Sequence, residues 1–191
     1  MNILFVNAAV REESRTAALA RRLLDQVPGE IHEECLNEEN LLPLDRMLLE
    51  KRMKLQAEGN YDDPIFDQAK EFAAADRIVI AAPYWDLSFP SLLKIWMERI
   101  CALGITFAYN ENDMPYSLCR ADRVVYVTTA GGPILSDEPG FGYVKMVMQS
   151  FFGIERVDQI KAEGLDLRGA DTDAILGEAQ QKIDQYISLE W

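Results

Sequence analysis

Five short apolar runs alternating with segments of helical periodicity predict an α/β fold: a doubly wound, five-stranded parallel sheet with helices on both faces. Two further observations sharpen that expectation. The runs at 77–82 and 123–129 are rich in β-branched residues and apolar on both alternating sets of positions, as strands covered on both faces are. The segments leaving the first, third and fourth runs are loops of hydroxyl, aromatic and glycine residues. Sheets of this kind bind ligands there, outside the carboxyl ends of the strands.

Each element has its own signal. The first strand spans 2–8, and a helix over 16–27 follows, with Leu19, Leu23, Leu24 and Val27 on one face and Pro28-Gly29 to end it. Residues 31–36 alternate apolar and charged side chains, the pattern of a strand with one wetter face near a sheet edge. Residues 37–61 form a polar connection in which Leu44, Met47, Leu48 and Met53 predict one or two short helices over the sheet. Asp63-Pro64 opens a helix that runs through Ala75 into the strand 77–82. The next helix, 91–103, turns Leu92, Leu93, Trp96 and Ile100 to the core, and Pro90 suits its start. Residues 104–109 read as extended and 110–117 carry turn residues. A strand over 123–129, a helix over 143–152, a strand over 156–162 and a helix over 171–189 complete the order.

The 191 residues, 49% of them hydrophobic, suffice for one full core, so 1–191 reads as a single domain. The 32 acidic against 19 basic residues give a formal charge of −13, which repels phosphate backbones and anionic bilayers. Neither nucleic acid nor a membrane is an expected partner. No apolar run approaches the ~20 residues of a membrane helix, and the chain opens on a strand where a signal peptide would carry a basic region. A cytoplasmic location is expected. Cys35, Cys101 and Cys119 are odd in number and widely spaced, and His32 is the only histidine, so neither a disulfide framework nor a zinc cluster is expected. The thiols read as reduced and mostly buried. His32, flanked by Glu33 and Glu34, reads as a solvated edge residue, which disfavours Ser-His-Asp or Cys-His catalysis.

Three loops leave strand ends. The first, 8–16, offers Ser14, Thr16 and free amides at a helix N-terminus, where a phosphate would meet donors and the positive end of the dipole; Ser14 could equally be a plain helix cap. Arg11 and Arg15 could add charge. The loop has neither G-x-x-x-x-G-K nor G-x-G-x-x-G, which favours a monophosphate over a triphosphate or a Rossmann-type dinucleotide. The second loop, 83–90, carries Tyr84, Trp85 and Phe89, which suit either ordinary core packing or the wall of a flat ligand. The third, Thr128-Thr129-Ala130-Gly131-Gly132-Pro133, holds paired glycines that permit positive φ or close approach of a ligand, and is also a common turn sequence. Together the three loops suit a flat ring with a phosphate tail, as in flavin mononucleotide (FMN). Backbone donors at 84–87 and 129–132 would face the ring.

At these residues the chain resembles the FMN-dependent NADH:quinone oxidoreductases and azoreductases of the flavodoxin-like superfamily, over nearly its full length. Ser14-Arg15-Thr16 matches the family's hydroxyl-x-hydroxyl phosphate grip. Pro83 with Tyr84-Trp85-Asp86-Leu87 stands for Pro-Met-Tyr-Asn-Phe, and Pro90, Leu93, Lys94 and Trp96 stand for I-P-x-x-L-K-x-W. Gly104-Ile105-Thr106-Phe107 resembles a later aromatic stretch, and Thr129-Ala130-Gly131-Gly132 corresponds to Ser-Arg-Gly-Gly. Three positions depart from the pattern. Ala8 replaces a serine that adds a polar contact to the phosphate, Ala130 replaces the arginine, and Asp86 replaces the asparagine, where a carboxylate near the ring would disfavour an anionic reduced flavin.

The resemblance implies a flavodoxin-like sheet of order 2-1-3-4-5 and an FMN-dependent oxidoreductase that passes two electrons from NADH or NADPH to a quinone or azo compound with ping-pong kinetics. Its cofactor residues would be Ser14, Arg15, Thr16, Tyr84, Trp85, Asp86, Leu87, Thr129, Ala130, Gly131 and Gly132, with no catalytic side chain. It also implies a homodimer whose acceptor pocket includes Phe107 or Tyr109. Two other readings stand beside it: a flavodoxin-type electron carrier that docks through its acidic surface, and a cofactor-less binding relative.

Overall fold

A computed structural model describes all residues 1–191. Five parallel strands, β1 (Asn2–Asn7), β2 (Glu30–Cys35), β3 (Arg77–Ala81), β6 (Arg123–Thr129) and β7 (Arg156–Ala162), form one sheet in the order β2-β1-β3-β6-β7. Counted within the sheet this is the expected 2-1-3-4-5. The order reverses direction beside β1, so the carboxyl ends of β1 and β3 border the crevice where doubly wound sheets bind ligands.

Two apolar layers hold the sheet. On one face α1 (Arg15–Leu24) and α6 (Thr172–Glu190) cover Phe5, Val79, Val125 and Val127. On the other face α3 (Asp67–Ala74), α4 (Ser91–Ile100) and α5 (Tyr143–Ser150) cover Val6, Ile78, Ile80 and Tyr126, with Trp96 fully buried. Every residue of β6 is buried, as its apolar run requires.

Several boundaries differ from the expected ones for identifiable reasons. Helix α1 stops at Leu24, three residues early, because Gln26 and Val27 donate to Leu23 and Leu24 in tight i→i+3 turns ahead of Pro28; Val27 is still buried. Asp63 accepts from Ile65 N at 3.0 Å and caps a 3-10 turn (Pro64–Phe66) that leads into α3, rather than starting the α-helix itself. Helix α4 ends at Ile100, whose carbonyl accepts from Thr106 Oγ1 at 2.6 Å. The extended and turn residues after it form an antiparallel hairpin of β4 (Phe107–Tyr109) and β5 (Pro115–Ser117).

The long connection contains one helix, α2 (Arg46–Ala57), capped by Asp45. It lies on the end of α4 rather than over the sheet: Arg52 is its one buried residue, donating to the Glu98 and Cys101 carbonyls, and Met47 and Met53 are exposed. Strand β2 is an edge strand, as expected, but its side chains reverse the apolar-in pattern. Ile31 is 42% exposed whereas Glu34 is 2% exposed.

Candidate functional site

The loops after β1, β3 and β6 converge on one cleft of about 240 Å³, lined by Val10, Arg11, Ser14, Arg15, Thr16, Tyr84, Trp85, Thr129 and Gly131. Asp166, from the loop after β7, also lines it. Parallel pairing in register brings Asn7, Ala81 and Val127 level, so their loops emerge side by side.

In the first loop Ser14 is the N-cap of α1 and accepts from Ala17 N at 3.2 Å. The cap leaves the amides of Val10 through Thr16 without a partner in the protein, and they stand at the positive end of α1. Thr16, 1% exposed, lies 2.6 Å from Thr129 hydroxyl to hydroxyl. Each hydroxyl carries one proton and only one serves that bond, so the pair keeps one donor for something else. Arg15 Nη2 meets Asp166 Oδ1 at 2.8 Å across the mouth.

The second loop turns back on itself. Ser88 N donates to Trp85 O at 2.7 Å and Trp85 N to Ser88 O at 3.1 Å, closing a two-residue loop at Asp86 (φ 50°) and Leu87 (φ 67°). Two consecutive positive φ values mark a type I′ turn, normally built from Asn-Gly or Asp-Gly. Asp tolerates this conformation; Leu, branched and bulky, is strained in it. Leu87 is also exposed, so burial does not offset the strain. Tyr84 N is engaged by Thr129 O at 2.9 Å, which ties the second loop to the third. Among residues 84–87 the free donors are therefore the Asp86 and Leu87 amides, at the tip of the turn and outside the cleft lining.

In the third loop Ala130 is buried and its backbone is fully used, donating to Ala162 O and accepting from Leu165 N. Gly131 and Gly132 accept from Asp166 N and Gly164 N, leaving their own amides free. A Cβ on Gly131 would displace the exposed Asp166 carboxylate, whereas nothing lies within 4 Å of a Cβ on Gly132. Of the expected residues, Ser14, Arg15, Thr16, Tyr84, Trp85, Thr129 and Gly131 share the cleft, while Asp86, Leu87, Ala130 and Gly132 flank it.

Asp166 was not legible beforehand. It lies at least 150 positions from the first loop, just past Ala162-Glu163-Gly164, which resembles one of the family's closing segments. The thiols are all unpaired and half-buried, less buried than expected. Burial raises the Cys101 thiol and pushes Cys119 up to about 12, so neither is a nucleophile at neutral pH. No three His, Cys, Asp or Glu side chains are placed to hold a metal ion. His32 is exposed as expected, and it is not only solvated: its Nε2 lies 2.8 Å from Glu71 Oε2.

A family model for the flavodoxin-like fold matches residues 1–187, and the chain belongs to that family. Within it, the chain is 31% identical to the FMN-dependent NADH:quinone oxidoreductase of Coprothermobacter proteolyticus, over 96% of both proteins. It is 38% identical to FMN-dependent NADH:quinone oxidoreductase 2 of Clostridium acetobutylicum, over 71% of this chain and 70% of that one. In structure it resembles an azoreductase from Bacillus anthracis, with a TM-score of 0.81 at 21% identity over 96% of this chain and 97% of the other. An FMN-dependent NADH-azoreductase from Bacillus anthracis, solved in complex with FMN, gives 0.77 at 22% identity, over 98% and 97%. At these identities the structures support the fold, and the sequence relatives carry the family.

Proposed function

We propose that this chain, acting as one domain over 1–191, is an FMN-dependent oxidoreductase that moves two electrons from NADH or NADPH to a quinone or azo compound. The observation that carries this reading is the gathering of free donors in one cleft and on its rim. The amides of Val10 through Thr16 and the spare hydroxyl proton of the Thr16–Thr129 pair suit a phosphate. The amides of Asp86, Leu87, Gly131 and Gly132 suit the polar edge of a flat ring. The sequence relatives named above, called FMN-dependent NADH:quinone oxidoreductases, support the same assignment.

Ser14, Arg15 and Thr16 would hold the phosphate, with Arg15 divided between it and Asp166. Tyr84, Trp85, Asp86 and Leu87 would border the ring on one side and Thr129, Ala130, Gly131 and Gly132 on the other, Ala130 acting only by keeping its loop in place. FMN, when bound, supplies the two-electron chemistry in two half-reactions, which gives ping-pong kinetics. The protein's part is to orient, to cover one face and to leave the other open to donor and acceptor in turn. No side chain needs to act as acid, base or nucleophile.

A homodimer fits the same reading. A groove of about 430 Å³ is lined by Leu44, Leu49, Met97, Leu103, Phe107 and Tyr143, and Met47, Met53, Tyr109 and Met114 are exposed on the helix and hairpin that supply part of that lining. Phe107 and Tyr109, in edge-to-face contact at 5.7 Å, would belong to the acceptor pocket. Three unpaired thiols and the absence of a helix long and apolar enough to cross a membrane accord with a cytoplasmic location.

Titration with FMN should quench flavin fluorescence and give a yellow complex that NADH bleaches rapidly in stopped flow. A protein that stays colourless would mark a cofactor-less binding relative. A yellow protein reduced only through a partner protein would mark an electron carrier. Phe107→Ala and Tyr109→Ala should change acceptor kinetics and leave reduction by NADH intact; unchanged acceptor kinetics in both would remove these residues from the pocket.

A further inference from the structure

Strand β2 carries a buried carboxyl that the proposed chemistry does not use. Glu34 points into the layer between the sheet and α3 and α4, where one of its oxygens accepts from Trp96 Nε1–H of α4. Its other oxygen, Oε1, is buried and has no donor. What faces Glu34 from α3 is Glu71, a second carboxyl, with Glu39 adding negative charge from the segment after β2 and no cation among these neighbours. Two carboxylates cannot share that space, but a carboxyl and a carboxylate can, through one proton between them. That single proton supplies the donor the buried oxygen lacks. Burial first, and Glu71 second, push the Glu34 carboxyl up to about 8.

The cluster runs from solvent to core. His32 is exposed and contacts Glu71, Glu71 is half-exposed, Glu34 is buried, and Trp96 is fully buried against Phe72 at 5.7 Å between ring centroids. Trp96 lies on the helix that begins where the aromatic loop ends, with Pro90 as its N-cap and Leu93 fixed in the same core. Trp96 is thus one of the core anchors of the helix that carries residues 83–90 at its head.

We propose that Glu34 is a positioning residue: as a neutral carboxyl it joins Trp96 to Glu71, and so holds α4 and the loop at its head in the geometry that binds flavin. The proposal rests on the FMN reading for its consequence and not for its mechanism. Loss of the proton places an unpaired charge in the core beside Glu71, and the joint between β2, α3 and α4 loosens.

The Trp96 indole N–H resonance of the ¹⁵N-labelled full chain without FMN, assigned with Trp96→Phe, reads the joint directly. It should shift with a midpoint near 8 in the wild type and stay flat in Glu34→Gln, which remains neutral and can still donate and accept. Glu71→Gln, at a half-exposed position tolerant of change, should move the midpoint down. FMN affinity, measured by fluorescence quenching, should weaken about fivefold across the same pH range in the wild type and stay constant in Glu34→Gln. A flat wild-type indole, or one that titrates identically in Glu34→Gln, overturns the proposal. A titrating indole beside pH-independent FMN binding overturns the positioning role. Absence of FMN binding at every pH instead overturns the flavin reading.

Discussion

At the carboxyl ends of β1, β3 and β6 the chain leaves backbone amides free toward an open cleft, whereas at the β2 edge it seals a carboxyl under two helices with no donor for one of its oxygens. Both regions depart from the rule that polar groups are satisfied within the fold. In the first, water meets the amides until a ligand replaces it, so the free donors cost little and define a binding surface. In the second, water is excluded, and satisfaction has to come from a proton that the Glu34 carboxyl itself retains. Open unsatisfied groups prepare a site; sealed ones make the fold depend on protonation.

The largest test of this contrast is the pH dependence of stability. The unfolded chain releases the Glu34 proton near 4.5, whereas the folded protein keeps it up to about 8. The native state thus binds more protons than the unfolded state in that window, and stability falls as pH rises through it. The contribution is whole below the unfolded value near 4.5 and is lost as pH rises through the folded value near 8, a fall of several kcal/mol read in urea unfolding. Glu34→Gln should be flat over the window and more stable than the wild type at its alkaline end.

A second test turns the open region into a sealed one. Thr16→Val leaves the Thr129 hydroxyl buried without its partner, which should cost about 2 kcal/mol of stability and weaken FMN binding as well. If stability falls and FMN affinity holds, the hydroxyl pair belongs to the fold and not to the site.

Strain at the tip of the second loop is smaller. Leu87→Gly, relieving a positive φ at a branched, exposed residue, should stabilise the protein by about 1 kcal/mol. A concurrent loss of FMN affinity would show that the strain serves the site. An unchanged urea midpoint would show that the turn holds Leu87 without penalty.

The smallest effect belongs to the ion pair across the mouth. Asp166→Asn breaks a pair whose side chains are 34% and 62% exposed, so stability should change by less than about 0.5 kcal/mol. The same substitution frees Arg15 and removes a negative charge from the cleft, so FMN should bind more tightly, and by a margin that shrinks with added salt.

The sequence by itself determined the order of strands and helices, the parallel buried sheet, the three loops at its carboxyl ends and the likeness to flavin enzymes. These are local matters: apolar periodicity, a proline at a helix start, a serine cap and paired glycines act within a few residues of themselves, and the rules of parallel sheets place the loops. Tertiary structure alone decided which donors in those loops are free. Tyr84 N and the Ala130 backbone are taken by partners more than thirty residues away, while the Asp86, Leu87, Gly131 and Gly132 amides are not. It also brought Asp166 to Arg15 and reversed the faces of β2. An alternating strand has two possible orientations, and its hydrophobicity favoured burying Ile31; packing instead turned Glu34 toward Trp96 and Glu71, which come from helices no local pattern could place beside it. The element menu follows from short-range chemistry, whereas the state of each polar group depends on partners that only the folded chain assembles.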